Sequence, residues 1–277
     1  MNYRHAFHAG NFTEVLKHMA LCELLRLLTA KDKKLFLLDT HAGAGGYDLL
    51  AVEAGRTREA EAGILRLLKA SRSGMPAAVV RYLAAVAAYD RKFGPPGGAL
   101  RRYPGSPRLV RAALRLGDRF VACELHPGEA LALKREFAGD RAVEVRQADG
   151  YHALKALLPP VERRGLILID PPFEAVDEFD RLARAVKQAL RRFAIGCYAI
   201  WYPIKDEEAV AGFVAGLTGL KAITLELRVP PSAEGKLSAC GLAVINPPWK
   251  FDEAMAEALP WVGAALGATT AMATVPA

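Results

Sequence analysis

Four residues, Asp170-Pro171-Pro172-Phe173, follow the apolar run 166–169 and have the types and spacing needed to bind an amine. Two prolines fix the backbone and remove two N–H donors, so the Pro171 carbonyl stays free and the Asp170 carboxylate is held in one direction. A carboxylate and a carbonyl can accept both N–H groups of an exocyclic amine, while Phe173 offers a ring for stacking. The motif predicts an amine that attacks a methyl sulfonium; the alternative is that Asp170 only caps a following helix.

A glycine-rich segment, residues 39–46, follows an earlier apolar run at 35–38. Gly43 and Gly45 would let a cofactor approach the backbone closely, as in loops that follow the first strand of dinucleotide-binding folds. The segment departs from the GxGxxG pattern because Asp48 occupies the third glycine position. The loop therefore predicts a cofactor site and disfavours a nicotinamide oxidoreductase.

Acidic residues follow two further strand-like runs. Glu124, after 120–123, can accept hydrogen bonds from both hydroxyls of a ribose, and Asp149, after 142–145, can accept one from an adenine amino group. The alternatives are a surface glutamate and the N-cap of a helix that begins at Tyr151. Together with Asp170, these residues would line the crevice outside the carboxyl ends of a parallel sheet.

Apolar runs that alternate with helical periodicity predict an α/β fold with a mostly parallel sheet. A short connection between the last two strands leaves no room for a crossover helix, so they should form a terminal antiparallel hairpin. This resembles the Rossmann-like class I methyltransferase fold. The seven predicted strands are 35–38, 120–123, 142–145, 166–169, 198–201, 222–229 and 237–245.

Residues 49–103 interrupt this alternation with two helical periodicities, at 59–69 and 75–89, and predict an inserted helical subdomain. Residues 1–48 and 104–277 would form the methyltransferase domain, with an N-terminal motif and helix in 1–30. Ser106, as N-cap, and Pro107 should open a helix over 107–116. The tail from Ala264 lacks periodicity and is predicted to be disordered.

Composition sets broad limits. The 277 residues carry 37 Lys and Arg against 30 Asp and Glu, a net charge of +7 that favours a polyanionic partner. Four separated cysteines predict reduced thiols, and no ligand pattern predicts a metal site. The chain shows no leader or membrane-spanning run, which predicts a cytoplasmic protein. The densest basic patch, predicted to favour nucleic-acid contact, consists of Arg101, Arg102, Arg108, Arg111, Arg115 and Arg119.

The chain resembles the RlmJ family of 23S ribosomal RNA adenine-N6 methyltransferases over nearly its whole length. Residues 3–11 (YRHAFHAGN), 15–18 (VLKH) and 38–45 (LDTHAGAG) carry the first part of the resemblance. Residues 103–107 (YPGSP), 124–127 (ELHP), 149–150 (DG), 170–174 (DPPFE) and 246–249 (NPPW) extend it. The family usually has Tyr where Phe173 stands, and this exchange keeps a ring for stacking.

The resemblance implies an S-adenosylmethionine-dependent enzyme that methylates N6 of adenine 2030 in 23S rRNA. Asp170 would be the catalytic residue, with Pro171 and Phe173 beside it. Tyr3, His5, Lys17 and Phe173 would contact the substrate. The cofactor contacts would be His18, His41, Gly43, Gly45, Ser106, Glu124, Asp149, Gly150 and Asp170.

Several alternatives remain at this stage. Asn246-Pro247-Pro248-Trp249 could grip an amine equally well, but it follows the last hairpin strand and should lie away from the methyl group. DNA adenine and protein glutamine are alternative amines, and a noncatalytic RNA-binding protein is an alternative class. The expected partner is protein-free or early-assembly 23S rRNA, bound by a monomer.

Overall fold

The computed structural model describes residues 7–51, 58–231 and 236–276, in which the chain forms ten strands and ten helices. The strands are β1 Phe36–Asp39, β2 Gly46–Asp48, β3 Arg102–Pro104, β4 Arg119–Glu124, β5 Val143–Gln147, β6 Gly165–Ile169, β7 Cys197–Pro203, β8 Ala222–Arg228, β9 Ala239–Ile245 and β10 Thr269–Thr274. The helices are α1 Phe12–Thr29, α2 Glu59–Ala62, α3 Ile64–Lys69, α4 Ala77–Phe93, α5 Ser106–Ala113, α6 Pro127–Glu136, α7 Gly150–Leu157, α8 Glu178–Arg192, α9 Glu207–Ala215 and α10 Phe251–Leu266.

Eight of the strands form one sheet in the order β10-β8-β9-β7-β6-β1-β4-β5. Strands β5, β4, β1, β6 and β7 are parallel, whereas β9 is antiparallel to both β7 and β8. The predicted α/β class and terminal antiparallel hairpin are therefore confirmed. The chain reverses its direction of winding between β1 and β6, and in such sheets this switch point opens a crevice for ligands.

The predicted disordered tail is wrong. Helix α10 continues to Leu266, and β10 then pairs antiparallel with β8, from Thr269 opposite Arg228 to Thr274 opposite Ile223. Nearly all of β10 is exposed, as an edge strand can be, so it needs no apolar alternation. Its backbone hydrogen bonds give an eighth strand that composition did not reveal.

Helices cover both faces of the sheet. Apolar side chains of α1, α3, α4, α5 and α10 form one buried cluster against it, and those of α7, α8 and α9 form the other. Residues 59–69 are two helices rather than one, because Gly63 breaks the backbone; a Cβ there would lie 2.1 Å from the Gly10 carbonyl oxygen. The first helices of 49–103 are thus held closely against the start of α1.

Helix α5 begins one residue earlier than predicted, with Gly105 rather than Ser106 at the N-cap. The Ser106 hydroxyl donates instead to Asp39 Oδ2 at 2.6 Å. All four cysteines are free thiols, and the described residues contain no cluster of metal-ligating side chains. No helix in the described ranges is long and apolar enough to cross a membrane.

Candidate active site

Asp170 directly follows β6, at the carboxyl edge of the sheet beside β1. Its side chain is 5% exposed. Three residues further on, Phe173 adopts a left-handed backbone with φ of 50°, a strained conformation for a bulky side chain that is often found at functional sites. The Phe173 ring makes edge contacts with Phe179 at 4.8 Å and Trp201 at 5.9 Å between centroids. The ring contacts of Phe173 therefore fix the end of this loop against Phe179 and Trp201.

A buried lysine holds this carboxylate. Lys17, on α1, donates one hydrogen bond to Asp170 Oδ2 and a second to Glu14 Oε1, the latter at 2.5 Å. All three side chains are at most 8% exposed. Burial acts to lower the pKa of Lys17, but the Asp170 and Glu14 carboxylates outweigh it and raise that pKa. One buried ammonium group therefore lies between two buried carboxyl groups and donates to both.

A second buried carboxyl group, Asp39, lies at the end of β1. It has no exposed surface, accepts the Ser106 hydroxyl, and accepts the His41 backbone N–H at 3.3 Å. Burial, with a smaller contribution from the nearby Asp170 carboxylate, outweighs the Ser106 hydrogen bond and the Lys17 charge and raises the pKa of Asp39 to about 7. Asp39 begins the glycine-rich segment that the sequence predicts to be a cofactor site.

The glycine-rich loop is tied to the neighbouring strand through Glu124. The Gly43 N–H donates to Glu124 Oε2 at 2.8 Å, and the His126 N–H donates to Oε1 at 2.7 Å. Burial raises the pKa of Glu124, and these two N–H groups partly offset the effect. Gly45, with φ of 84°, accepts a hydrogen bond from the Gly105 N–H at 2.9 Å. These contacts fix a glycine-lined turn over the ends of β1 and β4.

Asp149 and Gly150 complete this side of the site. Asp149 Oδ1 caps α7 by accepting from the Tyr151 and His152 N–H groups at 2.8 and 3.0 Å, so the capping alternative is present in the structure. Because a carboxylate accepts hydrogen bonds through both oxygens, Asp149 Oδ2 can still accept one from a ligand. Gly150 lies against β1, where an added Cβ would be 2.3 Å from the Thr40 carbonyl oxygen.

The arrangement fits S-adenosylmethionine in its chemistry. Its ribose and adenine offer hydroxyl and amino donors, and its sulfonium and ammonium groups are cations. Glu124 and Asp149 are acceptors at the strand ends, and Asp170 supplies a buried carboxyl group at the same edge.

The remaining predicted cofactor residues lie at the same edge. His41 is half-buried, 2.8 Å from the Thr40 hydroxyl through Nδ1, and its ring meets Tyr151 edge-on. His18 is 1% exposed and lies behind Lys17, stacked on Tyr103 with 5.7 Å between centroids. Two predicted substrate residues, Tyr3 and His5, fall outside the described residues.

A cleft of about 700 Å³ opens beside Phe173, between α2 and α3 on one side and the β8–β9 hairpin on the other. We call it the lateral cleft. It lies on the β6, β7 and β9 side of the switch point, away from the cofactor residues. Four basic side chains and two acidic ones line it, along with three aromatic rings. These residues are Arg58, Arg66, Lys205, Lys236, Glu59, Glu174, Phe12, Phe173 and Trp201.

Asn246 lies at the opposite edge of the sheet. Its N–H donates to the Lys221 carbonyl, at the start of β8, and its side-chain amide donates to the Ala194 and Gly196 carbonyls ahead of β7. These are the amino ends of the parallel strands, whereas Asp170 is at their carboxyl ends. Asn246-Pro247-Pro248-Trp249 is therefore remote from the candidate active site.

Among the described residues, five of the six arginines in the predicted basic patch, all except Arg102, form ion pairs with carboxylates. Arg108 and Arg111 pair with Glu136 and Asp140 on and after α6, at 2.7 and 2.6 Å. The other ion pairs are Arg101–Asp48, Arg115–Asp118 and Arg119–Glu162. The sequence shows only Asp118 nearby, because the other partners are distant along the chain; the expectation of an unbalanced cationic patch is wrong.

Comparison with known proteins shows the family to which the chain belongs. The family model described as "Ribosomal RNA large subunit methyltransferase D, RlmJ" matches residues 32–276. The chain belongs to this family. It is 41% identical to ribosomal RNA large subunit methyltransferase J of Escherichia coli K12, over 99% of this chain and 98% of that protein. It is 40% identical to the Haemophilus influenzae protein of the same name, over 95% of this chain and 92% of that protein.

A solved structure has the same architecture. The crystal structure of protein LPL1258 from Legionella pneumophila is 34% identical, with a TM-score of 0.86 over 97% of this chain and 98% of that one. The family resemblance seen in the motifs is confirmed. The sequence motifs indicate no role for Glu14 or for Tyr82 and Tyr103, which lie behind His18.

Proposed function

We propose that this protein transfers a methyl group from S-adenosylmethionine to N6 of one adenine in 23S rRNA, at the position equivalent to adenine 2030. The observation that carries the proposal is the Asp170 carboxylate, held by Lys17 between the glycine-rich turn and the lateral cleft. The curated relatives are named as ribosomal RNA large subunit methyltransferases, which supports ribosomal RNA as the substrate.

The residues of the Asp-Pro-Pro-Phe loop would hold the attacking amine. Lys17 occupies Asp170 Oδ2, so Oδ1 is the oxygen left to accept one amine N–H, and the Pro171 carbonyl accepts the other. The Phe173 ring would stack on the base. As the amine becomes cationic, its attraction to Asp170 grows, so the carboxylate stabilises the transition state more than the ground state.

S-adenosylmethionine would supply the electrophilic methyl group. We propose that the turn at Gly43 and Gly45 and the acceptors Glu124 and Asp149 hold it, with Gly150 packed closely against Thr40 behind them. The proposed further contacts are His18, His41, Ser106 and Asp170.

The lateral cleft would receive the RNA on the other side of Asp170. Its basic residues outnumber its acidic ones by four to two, which suits a phosphate backbone, and aromatic rings in its lining suit unstacked bases. Among the described residues Lys205 forms no ion pair, so its ammonium group is available to a phosphate. We propose that Tyr3, His5 and Lys17 act with Phe173 on the substrate side.

The remaining features of the proposal concern organisation. Residues 49–103 would be an inserted helical subdomain on a methyltransferase domain of residues 1–48 and 104–277, working as a monomer in the cytoplasm. The substrate would be protein-free or early-assembly RNA.

The first test is transfer of a labelled methyl group to protein-free, unmodified 23S rRNA, followed by nucleoside analysis. Asp170→Asn keeps the shape of the side chain and removes its charge. We expect N6-methyladenosine with the wild type and a loss of at least about 100-fold with the variant, the range usual for one electrostatic group, at near-normal cofactor affinity. Equal single-turnover rates would remove Asp170 from the mechanism. Labelled DNA or labelled protein, with no label in RNA, would show that RNA is not the substrate.

A second test separates the lateral cleft from the arginine-rich surface. Lys205→Gln combined with Lys236→Gln should weaken RNA binding and reduce the slope of log affinity against log salt by about 1 to 2, since each phosphate contact contributes about one. The matched control is Arg111→Gln, because Arg111 is already paired with Asp140. A flattened slope in the control with an unchanged slope in the lysine variant would contradict the assignment of the cleft.

A further inference from the structure

A chain of buried polar side chains runs from helix α4 towards the catalytic loop. The Tyr82 hydroxyl lies 2.9 Å from the Tyr103 hydroxyl, which lies 2.9 Å from His18 Nδ1. On the other side of the same imidazole, Nε2 is 3.6 Å from Glu14 Oε2. The four side chains are at most 8% exposed, so no solvent competes for these contacts. We call this set the tyrosine relay.

The protonation states give the relay one direction. Burial raises the pKa of Tyr82 and of Tyr103 well above the usual range, so both keep their protons. Burial lowers the pKa of His18, with the Lys17 charge acting in the same direction, so the imidazole is neutral. A neutral imidazole has one donor and one acceptor; with Nε2–H facing the Glu14 carboxylate, Nδ1 must accept from Tyr103. Tyr82 then donates to Tyr103, and every donor points towards Glu14.

Glu14 is connected to the Asp170 carboxylate through Lys17. It accepts from Lys17, and Lys17 also donates to Asp170 Oδ2. Lys17 therefore sits between two carboxylates, and its ammonium position depends on where Glu14 is held. If Glu14 turns, Lys17 follows it or loses a partner, and the Asp170 oxygen that should face the amine changes direction.

The two tyrosines of the relay lie in a different part of the chain from its other members. Tyr82 is on α4 and Tyr103 is in β3, both within residues 49–103, whereas His18, Glu14 and Lys17 are on α1. Both tyrosines are completely buried although the reaction contacts neither hydroxyl. Phenylalanine would fill the same space without needing hydrogen-bond partners in the protein interior.

We propose that Tyr82 and Tyr103 are positioning residues for Asp170, acting through His18, Glu14 and Lys17, and that residues 49–103 set the direction of the catalytic carboxylate in this way. The inference rests on the proposed function, in which Asp170 accepts the attacking amine. It assigns a catalytic consequence to two residues that touch neither cofactor nor substrate.

The test compares three variants that each remove one buried or half-buried hydroxyl. Tyr103→Phe and Tyr82→Phe break the relay at two points. Tyr89→Phe is the matched control, because Tyr89 is also on α4 and its hydroxyl donates to Glu136, outside the relay. We expect single-turnover methyl transfer to fall about 5- to 10-fold in Tyr103→Phe and less in Tyr82→Phe, as loss of one neutral hydrogen bond permits. RNA KM should be unchanged throughout.

Coupling to Glu14 distinguishes positioning from general destabilisation. Tyr103→Phe added to Glu14→Gln should slow transfer no further than Glu14→Gln alone, because both interrupt one pathway. The fold-reductions in transfer rate caused by Tyr89→Phe and by Glu14→Gln should multiply in the double variant, because the two changes are independent. Multiplicative effects of Tyr103→Phe would overturn the inference.

A readout without RNA separates this inference from the proposed function. In protein with ¹³C-labelled aspartate carboxyl groups, the Asp170 resonance can be assigned through its loss in Asp170→Asn. We expect it to move in Tyr103→Phe and in Tyr82→Phe and to stay in place in Tyr89→Phe. A stationary resonance in both relay variants would refute the positioning role even if RNA methylation is confirmed. If the resonance moves but the protein does not methylate RNA, the positioning role of the tyrosines is supported and the proposed RNA substrate is wrong.

Discussion

Replacement of Asp39 by Asn should stabilise the protein at neutral and alkaline pH. Asp39 has no exposed surface, and burial raises its pKa to about 7 from 3.8. The folded protein therefore holds this proton more tightly than the unfolded chain does. The resulting penalty on stability is absent below pH 3.8, grows as the pH rises towards 7, and is complete above that value.

The size of the penalty follows from the shift. About three pH units at 1.36 kcal/mol per unit give on the order of 4 kcal/mol, a large part of the free energy of unfolding of an ordinary domain. Asn keeps the shape of the side chain, and its amide oxygen can still accept from the Ser106 hydroxyl. The variant avoids an ionised group in the protein interior and should lose most of this pH dependence.

The assay is urea unfolding without cofactor at several values between pH 5 and 8.5. The free energy of unfolding of Asp39→Asn minus that of the wild type should increase by roughly 3 kcal/mol across this range. Asp48→Asn is the control: burial acts to raise the pKa of Asp48, but hydrogen bonds from the half-exposed Arg101 outweigh it and lower that pKa. Its difference should not increase with pH. Parallel curves for the wild type and Asp39→Asn would refute the buried-carboxyl argument.

Two further predictions concern the charge and the backbone of the site. Lys17→Met leaves two buried carboxylates facing each other and should reduce the free energy of unfolding at pH 7 by about 3 to 5 kcal/mol, whereas Glu14→Gln, which keeps one ion pair, should cost less in the same urea titration. Gly150→Ala should weaken S-adenosylmethionine binding at least about tenfold by calorimetry, because its Cβ would meet the Thr40 carbonyl at 2.3 Å; Gly212→Ala, with no atom within 4 Å, should leave binding unchanged.

The sequence predicts the strands of the sheet interior well because parallel strands buried on both faces are continuous apolar runs. Strand β6, with five buried residues, is an example. Edge strand β10 has no such requirement, since its register comes from backbone pairing with β8. Its Thr-Ala-Met composition therefore resembles that of a disordered tail, and only the structure distinguishes the two.

The same distinction applies to the site. Residues placed by their position after a strand, such as Asp170 and Glu124, could be found from the sequence because the carboxyl ends of parallel strands converge. Residues placed by packing could not. Tyr82 reaches His18 through Tyr103 across 64 positions of sequence, and the partners of the arginines are similarly remote. Spacing alone gives no signal for either kind of contact. Glu14 does have one: it is three and four residues before Lys17 and His18, on the same face of α1.

The charge of the site is consistent with the proposed chemistry. Without Lys17, the Asp170 carboxylate would face the Glu14 and Asp39 carboxyl groups in a buried space with no cation between them. The hydrogen bonds from Lys17 to Asp170 and Glu14 place a positive charge there. A carboxylate attracts the amine more strongly as the amine becomes cationic, so Asp170 would stabilise the transition state more than the ground state. The lysine would therefore contribute to catalysis by compensating the buried carboxylates, without taking part in any proton transfer.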